Sequence, residues 1–418
     1  MELKKNNYNK LHLSLIVLMI VTILLGSWLY IGLASLYHFV VLLTLLFVLQ
    51  KDNYSLKVAN SNKMLVFTII WLVEALISCI WAADKDIAIK YTYNIFLIFL
   101  YSYTMHRLFK ISMLDFLISF MVVVLFVLNT IALWESTTGN HLVANFLYSQ
   151  GRTRKMMYTP GCFFLNPNDL AFYIFEILPF SFSGVFGNNK LLKVLALINI
   201  PFSILTVFLT QSRTIVIVLF FTLFFYLFFA LKKRTALIIS FALCLCGYGF
   251  LLVYPNFLNL LTDGIESVTG NVIMEDNSLG VRFSLFANGV NMLIDYFGLG
   301  VGAGCHRVLM PDYSNLYYDT GKIAVMHNLF GEIFVDYGIL IGFLFVGTIW
   351  IIIKRLYYMQ RFEPIMKKRV LFMMLAVNAG TLFLCGISSS SVIQIPSIWT
   401  TLCLTGACIS HYKADSVV

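Results

Sequence analysis

Long apolar runs separated by short polar breaks recur along the whole chain of 418 residues. Each run approaches the roughly 20 residues that a helix needs to cross the hydrocarbon core of a bilayer. In lipid such a segment must be helical, because only a helix satisfies its backbone polar groups within itself. The pattern predicts about twelve spanning helices, at 11–26, 30–49, 64–82, 91–106, 113–134, 169–186, 191–210, 213–231, 235–254, 327–353, 370–387 and 391–411.

Composition agrees with this pattern. Hydrophobic residues make up 60% of the chain and charged residues 12%, and the mean hydropathy is +0.86. Soluble globular domains carry about 25% charged residues, so that class is excluded. We expect an all-α integral membrane protein, with residues 1–418 as a single transmembrane domain. The lysines before the first run could also begin a signal peptide, but no small-residue cleavage site follows, so we expect a retained helix.

The distribution of Lys and Arg predicts the orientation. With the N-terminus in the cytoplasm, most of the 29 Lys and Arg residues fall in inner segments, 354–369 above all. Cytoplasmic loops carry such an excess, so we expect an even number of crossings and both termini inside. The net charge of +9 then reflects membrane topology, and we expect no nucleic-acid partner.

One outer segment, 255–326 between predicted helices nine and ten, is too long to be a mere connector. Its residues 281–297 have the spacing of an amphipathic helix lying on the outer membrane surface. The alternative is a helix packed on the bundle away from any substrate. Glycines then alternate over 298–304, which indicates either a flexible turn or a backbone nest for an anion.

Two arginines stand out against their apolar surroundings. Arg213 lies in the sequence TQSRT between two apolar runs, and Arg282 lies in the predicted surface helix. An arginine at the bilayer centre costs about 2.5 to 3.5 kcal/mol on insertion scales, so we place Arg213 in a tight turn at the outer rim. It either snorkels there, or converges with Arg282 on a phosphate or diphosphate. Arg152 and Arg154 are weaker candidates, because a solvated loop explains them equally well.

Predicted helix ten begins with candidate chemistry. His327 is placed at its outer start, where a neutral imidazole can accept a proton from a hydroxyl, although a lone histidine can also be structural. Glu332 and Asp336 follow one turn apart on one face, within the predicted span. Carboxylates are expensive there, and we expect these two to pair with the arginines.

Two further chemistries are weaker alternatives. Asp84 and Asp86 have a spacing that could hold a divalent ion on a diphosphate, or they form a solvated turn. Cys162 and Cys305 are the cysteines predicted to lie outside the membrane, where a disulfide between them is possible but not favoured. We expect no metal and no cofactor.

Four stretches resemble the O-antigen ligase and O-antigen polymerase superfamily of bacterial membrane enzymes. They occur in the same order, on the same predicted side of the membrane and around one large loop. They are FFLNPNDLA at 163–171, TQSRT at 210–214, SLGVRF through GLGVGAG at 278–304, and MHNLFGEIFVDYGILIG at 326–342.

The resemblance implies a glycosyltransferase of GT-C-like architecture that takes a glycan from an undecaprenyl diphosphate carrier on the outer face of the plasma membrane. Arg213 and Arg282 match the diphosphate-binding arginines, and His327 matches the histidine thought to activate the acceptor hydroxyl. We expect inversion at the anomeric carbon. Possible supporting residues are Asn166, Asn168, Asp169, Ser278, Glu332, Asp336, Arg152 and Arg154.

Polymerase and ligase share this chemistry and differ in acceptor. We favour a polymerase that joins repeat units of a surface polysaccharide over a ligase that transfers to a lipid or cell-wall acceptor. Expected partners are the lipid-linked donor, the glycan or lipid acceptor, membrane lipids, and a flippase and chain-length regulator of the same pathway. A flippase or transporter, or a membrane scaffold, is a lesser alternative, since the charged groups gather at the outer rim rather than along a central path.

Overall fold

The protein is a bundle of helices. The computed structural model describes residues 2–26, 30–31, 34–52, 62–143, 157–230, 234–235, 237–239, 241, 278–321, 323–386 and 392–412. Over these ranges the chain forms thirteen α-helices, two short 3-10 helices and one two-stranded antiparallel pair, Tyr30–Ile31 with Ala34–Ser35. The α-helices are α1 Glu2–Leu24, α2 Leu36–Lys51, α3 Lys63–Ser78, α4 Lys85–Leu108, α5 Leu114–Thr138, α6 Pro167–Gly184, α7 Lys190–Leu209, α8 Arg213–Ala230, α9 Ser278–Asp295, α10 His306–Leu316, α11 Leu329–Phe362, α12 Met366–Cys385 and α13 Pro396–His411.

The predicted apolar segments coincide with helices in the described residues, except that the segment 30–49 begins with the strand pair and becomes helical only at Leu36. The ninth segment, 235–254, lies mostly outside the described residues. Four of the described helical stretches are long and apolar enough to cross a membrane unaided: Ile111–Thr138, Lys190–Leu209, Leu329–Phe362 and Met366–Cys385. Three shorter apolar helices accompany them. The all-helical fold is therefore confirmed apart from the short strand pair, while the number of twelve crossings and the GT-C-like architecture stay predictions.

Helix α6 lies at the centre of the bundle. All of its residues except Asn168 are buried, and it packs against α5, α7, α8, α12 and α13. Because α6 carries buried polar side chains such as Asp169 and Glu176 as well as apolar ones, neighbouring helices rather than lipid must surround it. Asn166 caps its first turn by accepting a hydrogen bond from the Asn168 amide at 2.9 Å, and Pro167 occupies the first helical position.

Buried amides tie the central helices together. Asn199 on α7 donates to the Val122 carbonyl at 2.8 Å and to the Ser181 hydroxyl at 3.1 Å. Asn378 on α12 donates to the Phe175 carbonyl of α6 at 3.0 Å. Hydrogen bonds of this kind connect helices where apolar packing alone does not distinguish a neighbour from lipid.

Helix α11 is broken at Gly338, whose φ of 85° and ψ of 172° are not helical. The break exposes backbone groups, and the glycine-rich turn that follows α9 satisfies them. The Val301 and Gly302 amides donate to the carbonyls of Val335 at 2.8 Å and Asp336 at 3.1 Å, and the Ile339 amide donates to the Gly298 carbonyl at 2.9 Å. The turn and the broken helix therefore form one rigid unit.

The four glycines of this turn all have positive φ, and the contact is close. A side chain at Gly300 would collide with the backbone of α11 at Asp336 and Gly338, so only glycine fits. The Gly300 carbonyl also accepts from the Trp81 indole at 2.9 Å. The amides of Val301 and Gly302 donate to α11, so they do not form a nest for an anion.

Candidate active site

The TQSRT turn is as tight as its sequence predicts. Helix α7 ends at Leu209 and α8 begins at Arg213, and Gln211 makes the reversal with a φ of 61°. The Gln211 side-chain amide donates to the Thr159 hydroxyl at 3.4 Å. This contact joins the turn to the segment that precedes α6. The Arg213 side chain is exposed.

Helix α9 confirms the predicted helix in the long segment 255–326 and has two distinct faces. One face exposes a row of large apolar side chains: Phe283, Phe286, Val290 and Ile294. The other buries Leu285, Asn288 and Met292 towards α10 and α11. Exposed apolar rows of this length are typical of a helix in contact with membrane lipid.

Arg282 is half-buried at the border between the two faces of α9. It precedes buried Leu285 by three residues and Gly289 by seven, and exposed Phe286 by four. A side chain added at Gly289 would collide with Met326, and Met326 is the neighbour of His327 in the chain. Arg282 therefore lies about 10 Å along α9 from the contact with the His327 segment.

The two candidate arginines influence each other electrostatically. Burial and then the charge of Arg213 lower the pKa of the Arg282 guanidinium, although the two residues come from different helices. Within the described ranges neither one forms an ion pair with a carboxylate. The starts of α8 and α9 thus each carry an arginine whose charge is not balanced by a described acid.

His327 occupies an unusual backbone position directly before α11. Its φ is 49°, a left-handed conformation that residues other than glycine seldom adopt. The next residue, Asn328, caps α11 by accepting from the amides of Phe330 and Gly331, each at 3.1 Å. The cap fixes the direction in which the helix leaves, and the half-buried His327 is held at its start.

A buried glutamate that the sequence pattern did not single out supports the start of α6. Glu135 is fully buried and accepts from the amides of Gly161 and Cys162, both at 2.8 Å. His141 faces the same carboxylate at 3.4 Å. The hydrogen bond to Glu135 raises the pKa of His141, against the opposing effect of burial. This carboxylate shapes the loop that leads into Asn166, Asn168 and the buried Asp169.

One of the two acids of α11, Asp336, does not pair with an arginine as expected. Both precede the break at Gly338 and are fully buried, but Asp336 pairs with His306, whose Nδ1 lies 2.9 Å from the Asp336 Oδ2. The His306 amide also donates to Asp336 Oδ1 at 3.1 Å. Glu332 lies one turn away and has its own partner. The predicted pairing of Asp336 with an arginine is therefore wrong.

The His306–Asp336 pair is fully enclosed. Burial lowers the pKa of His306, but the charge of Asp336 and the hydrogen bond to it outweigh burial, so the net pKa is raised. His306 was missed in the sequence because it follows a glycine turn and belongs to no periodic pattern. Its position becomes visible only once that turn is docked against α11.

The residues of the two weaker alternatives have structural roles. Asp84 caps α4 by accepting from the amides of Asp86 at 2.9 Å and Ile87 at 3.1 Å. In the described part of the chain no three His, Cys, Asp or Glu side chains cluster as metal ligands would. Cys162 and Cys305 are both buried free thiols, so the disulfide does not form.

The remaining candidates are only partly placed. Ser278 is the first residue of α9. Arg152 and Arg154 lie outside the described residues, so their part in the site stays a prediction.

Comparison with known proteins bears on this arrangement. Residues 198–347 match the family model described as O-Antigen ligase, and Arg213, Arg282 and His327 all fall inside the match. The chain is also 26% identical to the teichuronic acid biosynthesis protein TuaE of Bacillus subtilis (strain 168), over 83% of this chain and 71% of the relative.

Both matches are to proteins of the kind that the motifs resemble, the O-antigen ligase and polymerase superfamily. The resemblance inferred from the four motifs is confirmed. Together with the helices of spanning length, these two matches support a multi-pass membrane enzyme of surface polysaccharide biosynthesis.

Proposed function

We propose that the protein is a glycosyltransferase that polymerises oligosaccharide repeat units carried on undecaprenyl diphosphate, at the outer face of the bacterial plasma membrane. The reaction inverts the anomeric carbon and uses no metal or other cofactor. Arg213 and Arg282 bind the diphosphate of the donor, and His327 accepts the proton of the acceptor hydroxyl.

The two arginines at the starts of α8 and α9 support this proposal most, because neither has a described carboxylate partner and the charge of Arg213 acts on Arg282. Two guanidinium groups repel each other, and an anion bound by both would offset that repulsion. Guanidinium groups bind phosphate oxygens through two parallel hydrogen bonds each, so a diphosphate fits a pair better than a single phosphate does.

The chemistry follows from the charge that develops. When the bond between the anomeric carbon and the diphosphate oxygen breaks, negative charge accumulates on the leaving group. Fixed positive groups near a low-dielectric boundary stabilise that charge without reorganising. The acceptor oxygen forms the new bond from the opposite side of the anomeric carbon, and its proton passes to the imidazole of His327.

The left-handed backbone at His327 supports its role. Such a conformation costs on the order of 1 to 3 kcal/mol and persists where the surroundings determine it, often at functional sites. Here the contact of Met326 with α9 on one side and the Asn328 cap on the other hold the residue in place.

The ligase reaction is the second candidate, because the family model that matches is described by that activity. The relative is named for teichuronic acid biosynthesis, and from that name we infer for this chain only the making of a surface glycan. Both reactions use the same donor. The acceptor decides between them: another carrier-linked repeat unit for a polymerase, a lipid or wall component for a ligase.

The test uses the purified full chain in lipid vesicles with a short-chain polyprenyl-diphosphate oligosaccharide as donor. A ladder of products on gels indicates polymerisation, whereas a single product that requires added lipid or wall acceptor indicates ligation. The Arg282→Ala variant should lose at least about 100-fold in rate. An equal rate for this variant and the wild type contradicts the diphosphate site.

Arg307→Ala is the matched control. Arg307 is a third arginine of the same region, but its guanidinium lies over the Tyr91 ring, 5.3 Å from the centroid. We expect this variant to keep wild-type activity. Addition of EDTA should also leave the rate unchanged, and a rate that collapses on chelation and returns with a divalent cation contradicts the metal-independent mechanism.

A further inference from the structure

A cavity lies at the end of the bundle opposite the candidate active site. It opens between α3, α11 and α13, and its volume of about 400 Å³ falls in the range of about 300 to 1,000 Å³ typical of small-molecule sites. Its wall includes the cations Lys63 and Arg355, the rings of Tyr358 and Tyr412, and apolar side chains such as Met64 and Ile352.

The charge of this cavity is one-sided. Lys63 comes from the start of α3 and Arg355 from the last part of α11, so two separate elements each supply a cation. None of the described residues that line the cavity is acidic. Neither cation forms an ion pair elsewhere in the described ranges. The cavity is therefore built for an anion.

The depth of the cavity matches a membrane boundary. Arg355 follows the break at Gly338 by about 26 Å of helix, which is close to the roughly 30 Å thickness of the hydrocarbon core. Tyr357 and Tyr358 are half exposed beside it, and exposed tyrosines are enriched where lipid headgroups begin. An anion bound at this level can be the headgroup of a lipid. The acyl chains of that lipid would lie against the apolar side of the cavity.

We propose that this cavity binds the phosphate headgroup of an anionic phospholipid, with Lys63 and Arg355 on the phosphate and the apolar wall against the glycerol and upper acyl chains. Basic pockets between membrane helices recognise such lipids by charge and shape. In the orientation proposed above, the site faces the cytoplasmic leaflet. Binding itself does not depend on glycan transfer or on that orientation.

The experiment measures thermal unfolding of the detergent-purified full chain with added dioctanoyl-phosphatidylglycerol. We expect a saturable rise of several degrees in the unfolding midpoint. Dioctanoyl-phosphatidylcholine tests whether the negative charge is needed, and glycerol phosphate tests whether the acyl chains are needed. Neither should produce the rise, and an equal rise with either one overturns the assignment to an anionic lipid.

Variants locate the site. Arg355→Gln and Lys63→Gln should each weaken the apparent affinity for dioctanoyl-phosphatidylglycerol at least tenfold. Lys354→Gln is the matched control, because Lys354 is exposed at the same level of α11 but does not line the cavity. If Arg355→Gln does not fold, Lys63→Gln alone decides. Unchanged affinity in the folded variants overturns the proposal, and the donor plays no part in this measurement, so the glycan-transfer proposal is tested separately.

Discussion

Two charged pairs near the same end of the bundle are built in opposite ways. Arg213 and Arg282 carry like charges, keep access to the surface and have no described carboxylate partner. His306 and Asp336 carry complementary groups, are fully buried and hydrogen-bond to each other. The charges of His306 and Asp336 compensate each other without a ligand. The charges of Arg213 and Arg282 repel each other, so a bound anion would stabilise them.

This difference separates the residues proposed to bind the donor from those that hold the site together. The His306–Asp336 pair fastens the start of α10 to α11, and the glycine turn fastens the end of α9 to the same helix. Together they fix α9, and with it Arg282, against the segment that carries His327. Variants of the two pairs should therefore fail in different ways.

The largest effect is expected at His327. His327→Asn removes the base but preserves the left-handed backbone, which asparagine tolerates, so the fold should be unaffected. Loss of a general base typically costs about 100-fold to 10,000-fold in rate. The measurement is the initial transfer rate at saturating donor, together with donor binding, which should persist. An active His327→Asn protein rules out the base and leaves only a structural role.

The next effect is on stability, at Asp336. Asp336→Asn leaves His306 buried without its counter-charge, and breaking a buried pair costs about 3 to 5 kcal/mol of unfolding free energy. The thermal unfolding midpoint should drop markedly. Asp312→Asn, an exposed acid of α10, should change stability by less than about 0.5 kcal/mol. If Asp336→Asn is as stable as this control, the His306–Asp336 pair does not stabilise the contact between α10 and α11.

A smaller effect is expected from Arg213→Lys and Arg282→Lys. Both keep the charge but lose the planar fork, so transfer should fall by about 10-fold to 100-fold. The unfolding midpoint should stay the same, in contrast to Asp336→Asn. Lysine variants with full activity would mean that the site requires only positive charge, not bidentate binding.

The smallest effect is a pH dependence. Because the folded pKa of His306 is raised above its ordinary value of 6.5, protonated His306 stabilises the fold fully below about pH 6.5. That contribution disappears as the pH rises through the raised value. Unfolding midpoints measured between about pH 5 and 9 should fall more steeply for the wild type than for His306→Gln. Parallel curves contradict a charged pair.

Sequence reasoning worked where the physics is local. Apolar runs located the helices, the cost of arginine in lipid placed Arg213 in a tight turn, and helical spacing located α9. It failed where partners come from distant elements. Asp336 was expected to pair with an arginine. A single sequence does not show that the glycine turn packs on α11 and places His306 beside Asp336. Glu135 was overlooked for the same reason, since its partners lie in a loop some 26 residues further on.

Helix α9 carries Arg282 at the border between its two faces and exposes Phe283 and Phe286 on one of them. A donor with a long isoprenoid tail would lose about 0.8 kcal/mol for each methylene withdrawn from lipid. If Arg282 binds the diphosphate and the exposed apolar face of α9 contacts lipid, as we propose, we expect the tail to remain in the bilayer throughout turnover. The substrate would then arrive and depart sideways, by two-dimensional diffusion, and only the sugar chain would face water.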